Sequence, residues 1–296
     1  MWRAIVGVCA VGLAGVVTLS PASRGEDAPR PGQGAQPGFV GSDQCATCHP
    51  DQQASITRSV HGLARKGAGT PAAERGCEAC HGPGSAHIAD PTRENIVSFS
   101  AASAAARTQQ CLACHGREEE RFQARRSEHQ LNGVSCDTCH AVHTAKARPQ
   151  LREATPQLCY ACHQEVRAEF DQRFRHRVNE RAMTCVDCHN PHGSFEPKQV
   201  RRTNTEPYPC LTCHTDKRGP FTFEHLSVRV EGCVTCHSPH GSVNRYLLRY
   251  QDQKALCLEC HAATPAFHNV ATPRFANCTT CHTQIHGSYL SRFFFE

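Results

Sequence analysis

Apolar residues follow a helical period only in short stretches of this 296-residue chain. Helix-forming residues run from Gln164 to Phe170, and Thr155-Pro156 before Cys159 predicts a helix start with proline in the first turn. An alanine-rich piece, Ser100 to Arg107, predicts a further helix. No run alternates apolar and polar residues as a half-buried strand does. The pattern therefore predicts short helices joined by irregular loops, with little or no β-structure.

The longest apolar run lies at the N-terminus and is typical of an export signal. The basic start Met1-Trp2-Arg3 precedes apolar or small residues from Ala4 to Leu19 and then Ser20-Pro21-Ala22, which predicts a signal peptide over 1–22. The run is shorter than the ~20 residues that a spanning helix needs, so an uncleaved membrane anchor is the weaker alternative. Residues 23–41 are rich in Pro, Gly and polar residues and predict a flexible linker. We expect a mature protein in the periplasm, with any membrane association through a partner.

Composition shows why an ordinary core is not expected. Hydrophobic residues make up 39% of the chain, but this share includes 21 cysteines. Twenty of them lie in ten copies of one phrase, Cys-x-x-Cys-His, and the remaining one, Cys9, lies in the signal peptide. The paired cysteines are Cys45 and Cys48, Cys77 and Cys80, Cys111 and Cys114, Cys136 and Cys139, Cys159 and Cys162, Cys185 and Cys188, Cys210 and Cys213, Cys233 and Cys236, Cys257 and Cys260, and Cys278 and Cys281.

This phrase is the attachment motif of c-type haem, whose vinyl groups form thioethers with the two thiols while the following histidine ligates the iron. Disulfides and four-cysteine zinc ribbons are the alternatives, but neither requires a histidine after every pair. The sequence therefore predicts ten covalent haem c groups. The proximal ligands would be His49, His81, His115, His140, His163, His189, His214, His237, His261 and His282.

Ten further histidines lie outside the phrases, one for each haem. They are His61, His87, His129, His143, His176, His192, His225, His240, His268 and His286. Methionine, the competing sixth ligand, is nearly absent, because Met1 belongs to the signal peptide and only Met183 remains. We therefore predict that the lone histidines are distal ligands and that the haems are six-coordinate and of low potential.

The phrases and lone histidines form five repeated units, each reading phrase, lone His, phrase, lone His. The units begin at Cys45, Cys111, Cys159, Cys210 and Cys257. Their spacing is typical of a repeat array in which each unit packs against its neighbours. We number them unit one to unit five, and call the two lone histidines of each unit the first and the second. With so little apolar sequence between phrases, the haems themselves would be the core.

The spacing of His192 restricts which haem it can serve. It follows the proximal His189 by three residues, a tether of about 10 Å at most, which can hardly pass around the edge of one macrocycle. His192 should therefore ligate another haem. We expect it to ligate the haem on Cys159 and Cys162 in the same unit, with His176 as the distal ligand of the haem on Cys185 and Cys188.

The charge does not predict a nucleic-acid partner. The formal net charge is +5, but each ferric bis-His haem with two ionised propionates contributes about −1, so ten haems make the holoprotein negative. Arginines such as Arg125-Arg126 and Arg201-Arg202 are better explained as partners of propionates.

Four stretches carry a resemblance to a known family: VGSDQCATCH near the start, LCYACHQEVRAEF and CVDCHNPHGS in the middle, and CTTCHTQIHGSYLSRFFF at the end. They resemble the MtrA/DmsE family of periplasmic decahaem c-type cytochromes, from about Gly41 onward. The resemblance implies a multihaem cytochrome c fold, with short α-helices and loops wrapped around an elongated chain of ten haems. It also implies that the domain 42–296 consists of two pentahaem halves, about 42–165 and 166–296. Unit two departs from the family pattern in lacking Gly after His143, and unit one has a longer spacing before His87.

The resemblance further implies insertion into an outer-membrane β-barrel porin. There the protein would pass electrons between periplasmic or inner-membrane donor cytochromes and an extracellular multihaem cytochrome or reductase. We expect electron transport without bond-making chemistry, for extracellular respiration or iron oxidation. Two alternatives are a multihaem reductase of the nitrite or hydroxylamine type, which needs one iron with an open position, and a soluble periplasmic electron-storage cytochrome.

Overall fold

Very short helices make up most of the regular structure. The computed structural model describes residues 38–65, 76–201 and 208–295. The expected signal peptide, 1–22, with Cys9, and the expected linker as far as residue 37 lie outside these residues, as does Arg202. In the described ranges no helix is both long and apolar enough to cross a membrane.

Thirteen α-helices of 4 to 12 residues occur in the described ranges. They are α1 Ser42–Ala46, α2 Pro50–Arg58, α3 Val60–Arg65, α4 Glu78–His81, α5 Ser85–Ala89, α6 Ala104–His115, α7 Glu128–Leu131, α8 Cys136–Cys139, α9 Gln157–Tyr160, α10 Gln164–Phe170, α11 Cys185–Cys188, α12 Leu226–Val230 and α13 Gln253–Leu258.

Single 3₁₀ turns and two very small sheets complete the regular structure. The turns are Arg93–Asn95, Glu119–Arg121, Ala124–Arg126, Pro197–Gln199, Pro209–Thr212, Thr215–Lys217, Cys233–Thr235, Arg245–Leu247, Pro273–Phe275 and Cys278–Thr280. The strands are β1 Phe174–Arg175, β2 Phe223–Glu224, β3 Gly241–Ser242 and β4 Gly287–Ser288, and β1 pairs antiparallel with β3 as β2 does with β4. Short helices, loops and little β-structure are what the sequence predicted.

The individual helix predictions differ in how well they hold. Helix α10 has the predicted bounds. The alanine-rich helix begins later than predicted, at Ala104, where the Ser103 hydroxyl accepts the Ala106 N–H, and it continues through a haem phrase to His115. The predicted threonine cap at Thr155 is wrong, because α9 begins at Gln157 and no side chain caps it. Pro156 is the cap residue instead, and its carbonyl accepts the Tyr160 N–H.

The apolar core is small for a chain of this length. Among the described residues, only six hydrophobic side chains are buried, and no side chain is completely enclosed: Leu112, Ala124, Ala141, Phe170, Val178 and Leu211. Large apolar side chains such as Leu290 and Phe195 are instead 81% and 78% exposed in the protein alone. So few buried apolar side chains make a weak core, and the haem macrocycles predicted from the sequence would supply the missing apolar contacts.

Successive units are held together by a repeated contact, which we call a junction. Each junction joins two segments of successive units. The earlier unit contributes the segment before or around its first lone histidine, and the following unit contributes the segment at its second lone histidine. Strands β1 and β3 form this contact between units three and four, with Arg175 opposite Gly241. Strands β2 and β4 form it between units four and five, with Glu224 opposite Gly287.

The first two junctions use side chains in place of strands. Between units one and two, the Ser55 hydroxyl donates to the His143 carbonyl. Between units two and three, the Asn190 amide donates to the Glu120 carbonyl over 3.0 Å. The Glu120 carboxylate also pairs with Arg201, Nη1 to Oε1, at 3.0 Å.

A glycine follows the second lone histidine wherever two backbones meet closely. At Gly241 an added Cβ would overlap the Glu169 carbonyl oxygen, and at Gly193 it would lie 2.7 Å from the Gln123 carbonyl oxygen. In unit two Thr144 occupies the equivalent position, and there the junction contains a hydrogen bond from the Ser55 side chain to the His143 carbonyl. The His-Gly-Ser sequence is therefore explained by the close approach of the preceding unit.

The N-terminal segment is attached to the second haem phrase of unit one by Glu78. Its buried carboxylate accepts backbone N–H groups from Val40, Gly41 and Gly84 at 2.8 to 3.2 Å. Burial by itself opposes ionisation, but the three donors outweigh it and hold the pKa of Glu78 below its usual value. This stabilisation is present above the pKa of the unfolded chain and is lost as pH falls through the lower pKa of the folded protein.

Replacing Glu78 with glutamine is expected to loosen this attachment by about 1–3 kcal/mol, because an amide cannot accept all three donors as an anion does. Hydrogen exchange at Val40, Gly41 and Gly84 should become faster at neutral pH. The difference from the wild type should shrink in acid, where Glu78 is protonated. Glu94→Gln, at an exposed carboxylate of the same unit, is the control and should leave these amides unchanged. Equal exchange in all three proteins would contradict this role.

Candidate haem sites

Each Cys-x-x-Cys-His phrase forms one helical turn. In the phrase at Cys185 the His189 N–H donates to the Cys185 carbonyl over 2.9 Å, and the same bond of 2.9 or 3.0 Å recurs in eight other phrases. The tenth phrase is the last turn of α6. A single turn places both thiols and the imidazole on one side, as attachment of one haem requires. All twenty thiols of the phrases are free, so the structure contains no disulfide framework among them.

The lone histidines and the proximal histidines face each other one to one. Their ring centres are 6.0 to 6.4 Å apart, and every one of the twenty histidines belongs to one such pair. The pairs, proximal member first, are His49 and His87, His81 and His143, His115 and His61, His140 and His192, His163 and His129, His189 and His240, His214 and His176, His237 and His286, His261 and His225, and His282 and His268.

This separation fits one iron between two imidazoles. A metal–nitrogen bond of ~2.0 Å plus ~1.1 Å from ring nitrogen to ring centre, counted on both sides, gives ~6.2 Å. Two imidazoles in direct contact would stack closer than this. The residues present therefore fit a haem held between each pair.

The pairing crosses from one unit to the next at each of the four junctions. Between units two and three, His129 faces the first proximal histidine of unit three, while His192 of unit three faces the second proximal histidine of unit two. The other three junctions repeat this exchange. Only the two ends differ, because His87 and His268 face proximal histidines of their own units.

The expected pairing within unit three is therefore wrong. His192 faces His140 of the preceding unit, not His163, and His176 faces His214 of the following unit, not His189. The reason is the junction itself, since Gly193 packs on Gln123 and carries the preceding histidine toward unit two. Sequence distance alone could not reveal this packing.

Backbone carbonyls orient the second proximal histidine of every unit. In each case Nδ1–H donates to a carbonyl 9 to 16 residues further along the chain, which leaves Nε2 for the iron. The acceptors are Val97 for His81 at 3.0 Å, Pro149 for His140 at 3.0 Å, Lys198 for His189 at 2.9 Å, Tyr246 for His237 at 2.7 Å and Phe293 for His282 at 2.6 Å.

Residues in the left-handed backbone conformation occur in the loops that carry four of these carbonyls. Lys198 and Tyr246 both have φ of 58°, and Gln150 and Phe294 follow their acceptors with φ of 59° and 60°. Such conformations are unfavourable for non-glycine residues and persist where the surrounding structure requires them. These strained residues therefore lie where a loop fixes the ring of a predicted proximal histidine.

Two of the distal rings have pKa values well below the usual value of histidine. Burial, helped by the nearby His140 and Arg121, lowers the pKa of His192 to about 4. Burial, helped by Lys217 and His237, likewise lowers the pKa of His286 to about 4. Both imidazoles are therefore uncharged at neutral pH, as an iron ligand must be.

The attachment sites follow one another in space in the order of the sequence. Within every unit the thiols of the first cysteines of the two phrases lie next to each other: Cys45 and Cys77, Cys111 and Cys136, Cys159 and Cys185, Cys210 and Cys233, and Cys257 and Cys278. Between units, the thiols of second cysteines lie near each other: Cys80 and Cys114, Cys139 and Cys162, Cys188 and Cys213, and Cys236 and Cys260. Every two consecutive haem phrases are therefore connected by a close pair of cysteines.

Three carboxylates at the sites were not predicted, and the farthest is Glu165, whose Oε1 is 3.5 Å from Nδ1 of His163. Glu118 Oε1 is 2.6 Å from Nδ1 of His115, and Glu169 Oε2 is 2.7 Å from Nδ1 of His240. Glu118 follows His115 by three residues, so a search for acids next to the phrases could have found it. Glu169 is 71 residues from His240, and only the junction brings the two together.

Comparisons with known proteins agree with these sites. A family model described as a doubled CXXCH motif matches residues 129–168, 176–219 and 225–266, and one described as cytochrome c554 and c-prime matches 86–141. Multiheme cytochrome MtrA of Shewanella baltica (strain OS185) is 35% identical over 267 residues, which cover 84% of this chain and 78% of that protein. The resemblance inferred from the sequence is thereby confirmed, and covalently bound haem c and a role in electron transfer follow from it. This chain belongs to the MtrA family of multihaem c-type cytochromes.

Proposed function

We propose that the chain binds ten haem c groups, each ligated by one of the ten histidine pairs, and conducts electrons along them in sequence order. The observation that carries this proposal is the one-to-one facing of twenty histidines at 6.0 to 6.4 Å. An assignment that left one ring unpaired would have required a different ligand at one iron.

The residues of the chain hold and orient the cofactors. Each pair of phrase cysteines attaches one haem, the phrase histidine is its proximal ligand, and the facing lone histidine is its distal ligand. When bound, the haem supplies an iron that alternates between ferric and ferrous states. The close attachment sites at every step keep neighbouring macrocycles near each other, which electron transfer between them requires.

Full ligation favours electron transport over catalysis. A multihaem reductase of nitrite or hydroxylamine needs an iron with an open position for its substrate. Here each proximal histidine faces a second imidazole, so every iron would be closed on both sides. A soluble electron-storage cytochrome would share this ligation and would differ only in lacking partners at its two ends.

The partners and location belong to the same proposal. We place the protein in the periplasm, inserted in an outer-membrane β-barrel porin, between periplasmic or inner-membrane donor cytochromes and an extracellular multihaem cytochrome or reductase. Extracellular respiration and iron oxidation would use the same path in opposite directions. The resemblance to the MtrA/DmsE family supports this placement, and the relationship to Multiheme cytochrome MtrA agrees with it. The division into two pentahaem halves, about 42–165 and 166–296, also rests on the resemblance to this family.

The first test concerns stoichiometry. The mass of the purified mature protein should exceed that of its polypeptide by ten haems, and the increment should survive denaturation because thioethers are covalent. A mass that includes fewer than nine haems would contradict the assignment of ten sites.

The second test concerns the partner. Liposomes that contain the protein together with a β-barrel porin, with an electron donor inside and an acceptor outside, should transfer electrons across the bilayer. Liposomes with the cytochrome alone, or with the porin alone, are the controls and should remain inactive. Equal transfer with the cytochrome alone would contradict the need for a porin.

A further inference from the structure

In two of the ten histidine pairs an imidazole is hydrogen-bonded to a carboxylate at less than 3 Å, and in a third, His163 and His129, the Glu165 carboxylate lies farther away, 3.5 Å from Nδ1 of His163. In the pair His189 and His240, the Glu169 carboxylate lies 2.7 Å from Nδ1 of the distal ring. In the pair His115 and His61, the Glu118 carboxylate lies 2.6 Å from Nδ1 of the proximal ring. Distances this short are typical of charge-assisted hydrogen bonds.

The contrast with equivalent positions of the repeat shows that this contact is specific. His143 and His192 are the second lone histidines of units two and three, as His240 is of unit four. Among the described residues, the buried Nδ1 atoms of His143 and His192 have no side-chain hydrogen-bond partner, whereas Nδ1 of His240 has Glu169. One repeat position thus has different electrostatic surroundings in different units.

A carboxylate that accepts Nδ1–H gives the imidazole anionic character and makes it a stronger donor to the metal. A stronger and more negative donor stabilises ferric iron relative to ferrous iron, since the ferric form carries the greater positive charge. The potential of such a haem is therefore lower than that of a haem whose ligand donates to a neutral carbonyl.

On the basis of the proposed function, we propose that Glu169 and Glu118 act as positioning residues that lower the reduction potentials of two particular haems. These are the haem on Cys185 and Cys188 and the haem on Cys111 and Cys114. His240 and His115 would hold these two haems, and a one-electron exchange with a neighbouring haem would oxidise one iron as it reduced the other. No bond breaks, and His240 and His115 keep their Nδ1 protons throughout.

The two carboxylates should not act equally. Glu118 also forms an ion pair with Arg121, whose positive charge offsets part of its effect on His115. Within the described part of the chain, Glu169 has no lysine or arginine at ion-pair distance. The reduction potential of the haem on Cys185 and Cys188 should therefore be lowered more than that of the haem on Cys111 and Cys114.

The experiment is a spectropotentiometric titration of the ten-haem protein and its Glu169→Gln and Glu118→Gln variants. Glutamine can still accept Nδ1–H but carries no charge. Glu180→Gln is the matched control, because Glu180 lies in the same unit as Glu169 but pairs with Arg175 at 2.6 Å and with no histidine. Low-spin ligand-field spectra of the oxidised proteins provide an independent readout of imidazole character.

In Glu169→Gln, the reduction potential of one haem should rise by about 59 mV. For one electron, this corresponds to about a tenfold change in its ferric-to-ferrous equilibrium. Glu118→Gln should give a smaller upward shift of one component, and Glu180→Gln should give none. The low-spin spectrum of one haem should change in the first two variants, while all ten haems stay six-coordinate.

Three results would overturn the inference: no shift, an equal shift in Glu180→Gln, or a five-coordinate haem in Glu169→Gln, which would show that Glu169 only holds the ring in place. These results are distinct from failure of the proposed function. If the wild type itself contained a five-coordinate haem, bis-histidine ligation would be wrong, whereas ten low-spin haems with unmoved potentials would reject only the role of the carboxylates.

Discussion

Replacing His192 with alanine is expected to convert one haem in ten to a five-coordinate, high-spin form, and that haem should be the one on Cys136 and Cys139. The ring of His192 faces His140 at 6.0 Å, so its removal leaves that iron without a sixth ligand. All ten haems should remain attached, because the thioethers are untouched. In His192→Met, the site should stay closed and one potential should rise, since a methionine ligand raises the potential of a haem.

The identity of the opened haem can be established in a second background. When Cys136 and Cys139 are both replaced by alanine, nine haems remain, and adding His192→Ala should then produce no high-spin haem. When Cys159 and Cys162 are replaced instead, adding His192→Ala should still produce one. The reverse outcome would show that His192 serves the haem of its own unit. An unchanged low-spin spectrum in the single variant would show that His192 is not a ligand.

The second large effect is expected from a substitution at the junction between units three and four. In Gly241→Val the added side chain overlaps the Glu169 carbonyl, which belongs to α10, and must push β3 away from α10. This displaces His240 from His189, and it also displaces the Pro239 carbonyl, which accepts Nδ1–H of His176 at 2.5 Å. Because both histidines depend on one contact, two haems should lose their distal ligands together.

Absorption and magnetic circular dichroism spectra of Gly241→Val should therefore show two high-spin haems per chain. Gly38→Val is the control, because a Cβ at Gly38 meets no atom within 4 Å, and its spectrum should match the wild type. If Gly241→Val produced only one high-spin haem, or none, the positions of His240 and His176 would not both depend on the contact between Gly241 and Glu169.

Much of the candidate site was predictable because its chemistry is local in sequence. Cys185, Cys188 and His189 lie within one helical turn, so the phrase alone defines the attachment site. The lone histidines were identified from their number and phase, without knowledge of their partners. Helix α10 followed from its helix-forming residues, which need no distant contact to be recognised.

The pairing of the histidines could not be predicted because it depends on contacts between units. His192 and His140 are 52 residues apart, and they meet only because the Gly193 backbone packs on Gln123. Strands β1 and β3 have two residues each, which is too short for any alternation to appear in the sequence. Glu169 likewise reaches His240 through a junction, and no local pattern indicates this contact.

The central claim is that every iron of the protein has two histidine ligands and that none has an open position. Near-infrared magnetic circular dichroism of the fully oxidised wild type measures this directly, because bis-histidine low-spin haems and high-spin haems absorb in separate regions. We expect intensity for ten bis-histidine haems per chain, no high-spin component, and no binding of carbon monoxide after reduction. One high-spin haem per chain that binds carbon monoxide would contradict the account and would indicate a catalytic site.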